Sequence, residues 1–131
     1  MEIKTFRLNN LGRFNELNVE LAPTSNVASN VTVFIGNNGA GKTSILKGLA
    51  TSLSWFVARL RSEKGNGNHI PEEVIFNSMS SASITICLED NFEDIDSNLK
   101  FEWVLARTAK GKKAKFNSDL MDATKLADLY R

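Results

Sequence analysis

Gly36-Asn37-Asn38-Gly39-Ala40-Gly41-Lys42-Thr43 is the stretch on which the reading of this chain turns. It satisfies G-x-x-x-x-G-K-[ST], the pattern of a phosphate-binding loop. Its setting supports that reading. Upstream, Val31-Thr32-Val33-Phe34-Ile35 is β-branched and aromatic and predicts a buried strand. Downstream, an amphipathic pattern predicts a helix from about Lys42 to Leu60. Strand, glycine loop and helix follow in the order a phosphate site needs. The loop's glycines leave room for phosphate oxygens, and the first helical turn adds unpaired N–H groups and a positive dipole end. Lys42 is expected to reach the β- and γ-phosphates, and the Thr43 hydroxyl to ligate Mg²⁺. Gly36, Asn37, Asn38, Gly39, Ala40, Gly41, Lys42, Thr43 and Ser44 are the expected nucleotide-binding residues, with Thr43 the metal ligand.

On the helix, Ile45, Leu49, Leu53, Phe56 and Leu60 form an apolar stripe that Leu46, Ala50 and Val57 widen. This stripe is expected to face a sheet, with Trp55 half-buried towards the polar side. Residues 62–69, rich in glycine and asparagine, break the helix and read as a mobile surface loop. His69 within it has no Cys or His companions, so a solvated role is the expectation. Pro71 followed by Glu72 and Glu73 suits the start of a short helix.

Elsewhere the period is two. Ile3 to Leu8 and Phe14 to Leu21 read as an antiparallel pair about a turn at Asn9-Asn10-Leu11-Gly12. Ile84, Ile86 and Leu88 alternate with Thr85 and Cys87; Phe101, Trp103 and Leu105 alternate with Glu102 and Val104. No helical stretch separates these last two runs, so antiparallel pairing is expected. Gly111 suggests a tight hairpin returning through Ala114-Lys115-Phe116, its tip made basic by Arg107, Lys110, Lys112, Lys113 and Lys115. That tip reads as a solvated turn, or alternatively as a phosphate-backbone contact. A helix capped by Ser118 or Asp119 runs to Arg131, where no glycine or proline closes it, which predicts that the chain continues.

Composition sets bounds. At 131 residues, 42% of them hydrophobic, the chain can bury one modest core. A net charge of +1 argues nothing about nucleic acid. The single Cys87 excludes an internal disulfide framework and fits a reducing compartment. Met1-Glu2-Ile3-Lys4 is no signal peptide, and no apolar run is long enough to span a membrane, so the expected location is cytoplasmic.

The segment from Phe34 to Leu46 resembles the G-x-N-G-[AS]-G-K-[ST] form of ATP-binding-cassette (ABC) ATPases of the RecF and SMC type, with Asn38 and Gly39 narrowing the match. The opening, strand then Asn10-Leu11-Gly12-Arg13-Phe14 then strand, resembles that family too. More narrowly, the whole chain is similar to the N-terminal part of PtuA-type ATPases of Septu and retron-associated anti-phage defence systems. The resemblance implies an α/β P-loop NTPase fold, the N-terminal lobe of an ABC-type head, with residues 1–131 a single partial domain. It implies Mg·ATP as ligand, homodimerisation through ATP, and an HNH nuclease and retron or nucleic-acid components as partners. Many relatives carry an arginine near the nucleotide where Gly12 stands here; Arg13, one place later, is the expected contact. The chain has no glutamine for a Q-loop, no Leu-Ser-Gly-Gly signature and no switch histidine. Ile84 to Asp90 resembles a Walker B strand only superficially, because its acids, Glu89-Asp90, stand in reverse order.

The expectation is therefore an Mg·ATP-binding part of a longer ATPase that, alone, turns over little or no ATP. Two rivals remain: a self-sufficient P-loop kinase or NTPase using Glu89 or Asp90, and a nucleic-acid-binding module with a vestigial loop.

Overall fold

A computed structural model describes residues 1–24, 26, 28–29, 31–36, 41–91 and 98–131. Its elements are β1 (Glu2–Leu11), β2 (Phe14–Glu20), α1 (Lys42–Arg61), two short 3₁₀ turns (Glu72–Val74 and Phe76–Ser78), β3 (Ser81–Asp90), β4 (Leu99–Thr108) and α2 (Met121–Tyr130). The four strands form one antiparallel sheet in the order β2-β1-β3-β4. Period-two alternation sets its two faces. Phe6 and Leu8 on β1, Ile84, Ile86 and Leu88 on β3, and Phe101, Trp103 and Leu105 on β4 are all buried on the face covered by α1 and α2. The opposite face carries Thr5, Arg7, Asn18, Thr85, Cys87 and Glu102.

Register fixes which ends lie together. Leu11 opposes Phe14, Asn9 opposes Ser83, and Ser81 opposes Thr108. The β1–β2 turn, the start of β3 and the end of β4 thus share one end of the sheet. Glu2, Glu89, Asp90 and Leu99 share the other.

Several expectations are corrected. Val31-Thr32-Val33-Phe34-Ile35 joins no strand, and Val31, Val33 and Ile35 are 69%, 70% and 92% exposed. The segment has strand-forming side chains, yet among the described residues no neighbour offers it a ladder, and propensity alone does not make a strand. Only Phe34 packs against the core. On α1 the expected stripe does face the core, with Ile45 and Phe56 buried and Leu49, Leu53 and Leu60 packed against it, but the face widens through Gly48, Ser52 and Trp55 and not through Leu46 and Val57, which are exposed. Trp55 is 5% exposed, and its indole N–H donates to the Asn68 carbonyl at 2.8 Å.

That bond belongs to a strap. Residues 62–69 fold back along α1, where Arg59 Nε donates to the Gly65 carbonyl (2.6 Å) and the Asn68 amide to Ser54 Oγ (2.8 Å). A Cβ at Gly65 would lie 2.2 Å from the Ala58 carbonyl oxygen, so only glycine allows this approach. The expected loop is thus tied to the helix. His69 sits edge-on against Trp55, with ring centroids 5.3 Å apart.

Gly111 does make a turn, at φ +78° with Lys112 N–H bonded to the Ala109 carbonyl, but 114–116 form no return strand. The chain rejoins β4 later, where Asp119 bridges Val104. Helix α2 starts at Met121, and Asp119 Oδ1 accepts its amide; Ser118 instead serves Ala106. No described helix is long and apolar enough to cross a membrane.

Candidate nucleotide site

The expected phosphate loop leads into α1 at the end of the sheet that holds the β1–β2 turn. Asn37, Asn38, Gly39 and Ala40 lie outside the described residues; Gly36, Gly41, Lys42, Thr43 and Ser44 lie within them. Gly41 is the N-cap of α1 at φ +96°, a left-handed conformation that favours glycine. Among the described residues no side chain caps the helix, and its first turn carries no acid. The first-turn amides and the positive dipole end are thus left for an anion. Lys42 adds a cation at the head of the helix and Thr43, exposed, a hydroxyl. This donor set fits a phosphate chain with its magnesium ion.

The β1–β2 turn is built against this start. Gly12, at φ +61°, donates its N–H to the Val74 carbonyl at 2.7 Å. Asn10, buried at φ +53°, donates its side-chain amide to the Ser81 carbonyl at 3.1 Å. Leu11 bridges Ile75. The turn is therefore pinned from the sheet and from the 3₁₀ segment. Arg13 stands exposed in it, beside the helix start. A Cβ at Gly12 would lie 2.4 Å from Ser44 Oγ, which explains in packing terms why a larger residue does not stand there.

A cleft of about 410 Å³ opens along the first turns of α1, between Thr43, Ser44 and Lys47 on one wall and Asn68 and Glu73 on the other. A larger one, about 550 Å³ around Met1, Leu21 and Pro23, sits at the far end of β1 and holds none of the motif.

Glu89 and Asp90 are not brought to the site. They end β3 at the opposite end of the sheet, and nine residue steps at about 3.3 Å put Asp90 roughly 30 Å from Ser81. Asp90 is engaged there: it accepts the Tyr130 hydroxyl, pairs with the Met1 ammonium at 3.2 Å and accepts the Asn91 amide. Burial alone would raise its pKa, but these three donors outweigh that and hold it below the ordinary aspartate value. The same carboxylate, with some burial, pushes Tyr130 up to about 12. Among the described residues no group of three or more His, Cys, Asp or Glu gathers to hold a metal.

Basic residues also lie at this end of the sheet. Arg107 pairs with Glu72 at 3.9 Å and the Lys110 amide donates to the same carboxylate, while Lys112, Lys113 and Lys115 are exposed. Sequence reasoning missed Phe14, whose ring lies on Gly41. It stands out of step with the inward Leu17 and Val19 of β2, so period two does not mark it, and nothing in the sequence says what it meets.

Comparison with known proteins follows the same lines. The family described as "AAA domain" matches residues 5–128. The chain is 25% identical over 126 residues to "Retron Vc95 probable ATPase" of Vibrio cholerae serotype O1 biovar El Tor, covering 95% of this chain and 24% of that protein. It is 24% identical over 131 residues to "Retron Ec83 probable ATPase" of Escherichia coli, covering all of this chain and 22% of that protein. The chain thus spans about a quarter of the length of these relatives. A solved chain from work on ATP-driven dimerization and DNA-stimulated activation of SMC ATPases superposes with a TM-score of 0.56 at 12% identity, covering 98% of this chain and 76% of that one. That likeness shows the fold, the N-terminal lobe of a P-loop ATPase head.

Proposed function

The chain belongs to the AAA domain family, and from that premise we propose that it is the phosphate-loop part of a longer ATPase. Membership makes it an ATP-binding domain of the ATPase kind. In the reading proposed here, the backbone from Gly36 to Gly41 cradles the phosphates, Lys42 neutralises the β- and γ-phosphates, and Thr43 ligates Mg²⁺. Asn37, Asn38, Gly39 and Ala40 enter on sequence alone; Ser44 and Arg13 flank the ligand. The observation that carries the reading is the start of α1: a glycine cap at φ +96°, no side-chain cap, no acid in the first turn, and Lys42-Thr43 directly after it.

The longer protein is proposed to hydrolyse ATP as a homodimer and to regulate a nuclease or nucleic-acid-linked partner in anti-phage defence. Three things support this: the retron relatives, the SMC fold, and the exposed apolar residues Ile35 and Leu46, which flank the motif in sequence. The acids for Mg²⁺ and for the attacking water would come from outside residues 1–131. Phosphoryl transfer depends on positioning and charge neutralisation, so this chain alone is expected to hydrolyse little. A self-sufficient kinase finds no support, because Asp90 is spent on Tyr130 and Met1 at the other end of β3.

Light scattering on the longer protein tests the assembly. ATP with Mg²⁺ should double its mass, and Lys42→Ala should abolish the effect. A mass unmoved by nucleotide would reject dimerisation through ATP.

A further inference from the structure

We infer that Phe14 is a positioning residue for the phosphate loop: its ring bears on Gly41 and fixes where the loop hands over to α1. The inference rests on nucleotide binding by that loop.

The contact is close. A Cβ built at Gly41 would lie 2.4 Å from Phe14 Cζ and 2.7 Å from Cε2, so the ring fills the space beside Gly41 that any side chain would take. Three residues on, the same turn touches the helix again, where a Cβ at Gly12 would lie 2.4 Å from Ser44 Oγ. The two residues the turn touches, Gly41 and Ser44, flank the two that would hold phosphate and magnesium, Lys42 and Thr43. The turn itself is held from behind by the Leu11–Phe14 pair, the Leu11–Ile75 bridge and the Gly12–Val74 hydrogen bond. The sheet thus passes its rigidity to the first turn of α1 through one aromatic ring and one glycine.

Phe14 is not a deep core residue. It is half-buried, as is Leu17 on the same strand, and both pack against the same apolar cluster. Leu17 opposes Leu8, further up the ladder. A core role would make the two alike; a positioning role separates them. Phe14 meets Gly41 with Cζ, the atom from which a tyrosine hydroxyl would grow. Phe14→Tyr keeps the apolar ring yet drives an oxygen at Gly41. Displacing the amides and Lys42 by a fraction of an ångström weakens a site that depends on alignment.

The experiment compares Phe14→Tyr, Phe14→Leu and Leu17→Ala by thermal melting, by Mg·ATP titration and by hydrogen exchange of the Ile45 amide, which donates to the Gly41 carbonyl at 3.0 Å. Both Phe14 variants should weaken Mg·ATP about tenfold and speed Ile45 exchange while the β1 amides keep their protection. Phe14→Tyr should do so with little change in Tm. Leu17→Ala should lower Tm and leave affinity and Ile45 exchange in place. Wild-type affinity and exchange in Phe14→Tyr would overturn the inference. Were the unmutated chain to take no nucleotide, the ATP reading itself would fall, and Ile45 exchange would still decide: faster in Phe14→Tyr upholds the contact's role, unchanged refutes it.

Discussion

The β3–β4 ladder and the segment 31–35 are written in the same residue types and meet opposite fates. Ile84, Ile86 and Leu88 alternate on β3, face Phe101, Trp103 and Leu105 of β4, and are almost wholly buried beneath two helices. Val31, Val33 and Ile35 alternate too, and lie exposed. Side-chain preference is common to both; among the described residues a neighbouring strand and a covering helix belong only to the first. A β-branched run becomes a strand only where another strand pairs with it, so side-chain type alone does not decide its fate.

Breaking the buried ladder should give the largest effect. Trp103, fully buried, donates its indole N–H to the Ser52 carbonyl at 3.1 Å. Trp103→Ala should cost about 3–5 kcal/mol of stability in a denaturant titration. At the proposed nucleotide site, Thr43→Val should leave stability in place and weaken Mg·ATP about tenfold, with the loss vanishing when EDTA replaces Mg²⁺.

The seam at the far end answers to pH. Asp90 sits below its ordinary value, so its contribution is present at neutral pH and is lost as pH falls through the acid range below about 4. Tyr130, raised to about 12 from 10.0, contributes fully below pH 10, and that contribution is lost as pH rises towards 12. Tyr130→Phe should flatten the alkaline limb of a Tm-against-pH curve and shrink the acid one. The smallest effect sharpens the comparison most: Val33→Thr should move stability by no more than about 0.5 kcal/mol, whereas Ile86→Thr, which buries a hydroxyl, should cost about 1–3 kcal/mol.

Much of this was legible beforehand. The proposed phosphate loop was read from glycine, lysine and threonine at fixed spacing, and of that reading the structure describes only Gly36 and the glycine-capped start of α1. The strands declare themselves through period two, and α1 through its length. The stripe Ile45, Leu49, Leu53, Phe56 and Leu60 declares itself too, but its flank did not, because Leu46 and Val57 are as apolar as the stripe, while Gly48, Ser52 and Trp55 are the residues that widen it. What set that flank was tertiary, the Trp103 indole reaching Ser52 and the 62–69 strap supplying a carbonyl to Trp55. Polar composition hid the strap, whose bonds run from its backbone to Arg59, Ser54 and Trp55. Phe14 was unreadable for a similar reason, since a ring on a glycine is a contact between residues twenty-seven apart in number.

Isothermal titration of Mg·ATP into this chain and its Lys42→Ala variant asks whether the loop grips a triphosphate. The account expects saturable heat at one site, with affinity falling about a hundredfold on loss of the lysine, roughly 3 kcal/mol. No heat from the unmutated chain, or heat that Lys42→Ala leaves unchanged, would contradict it.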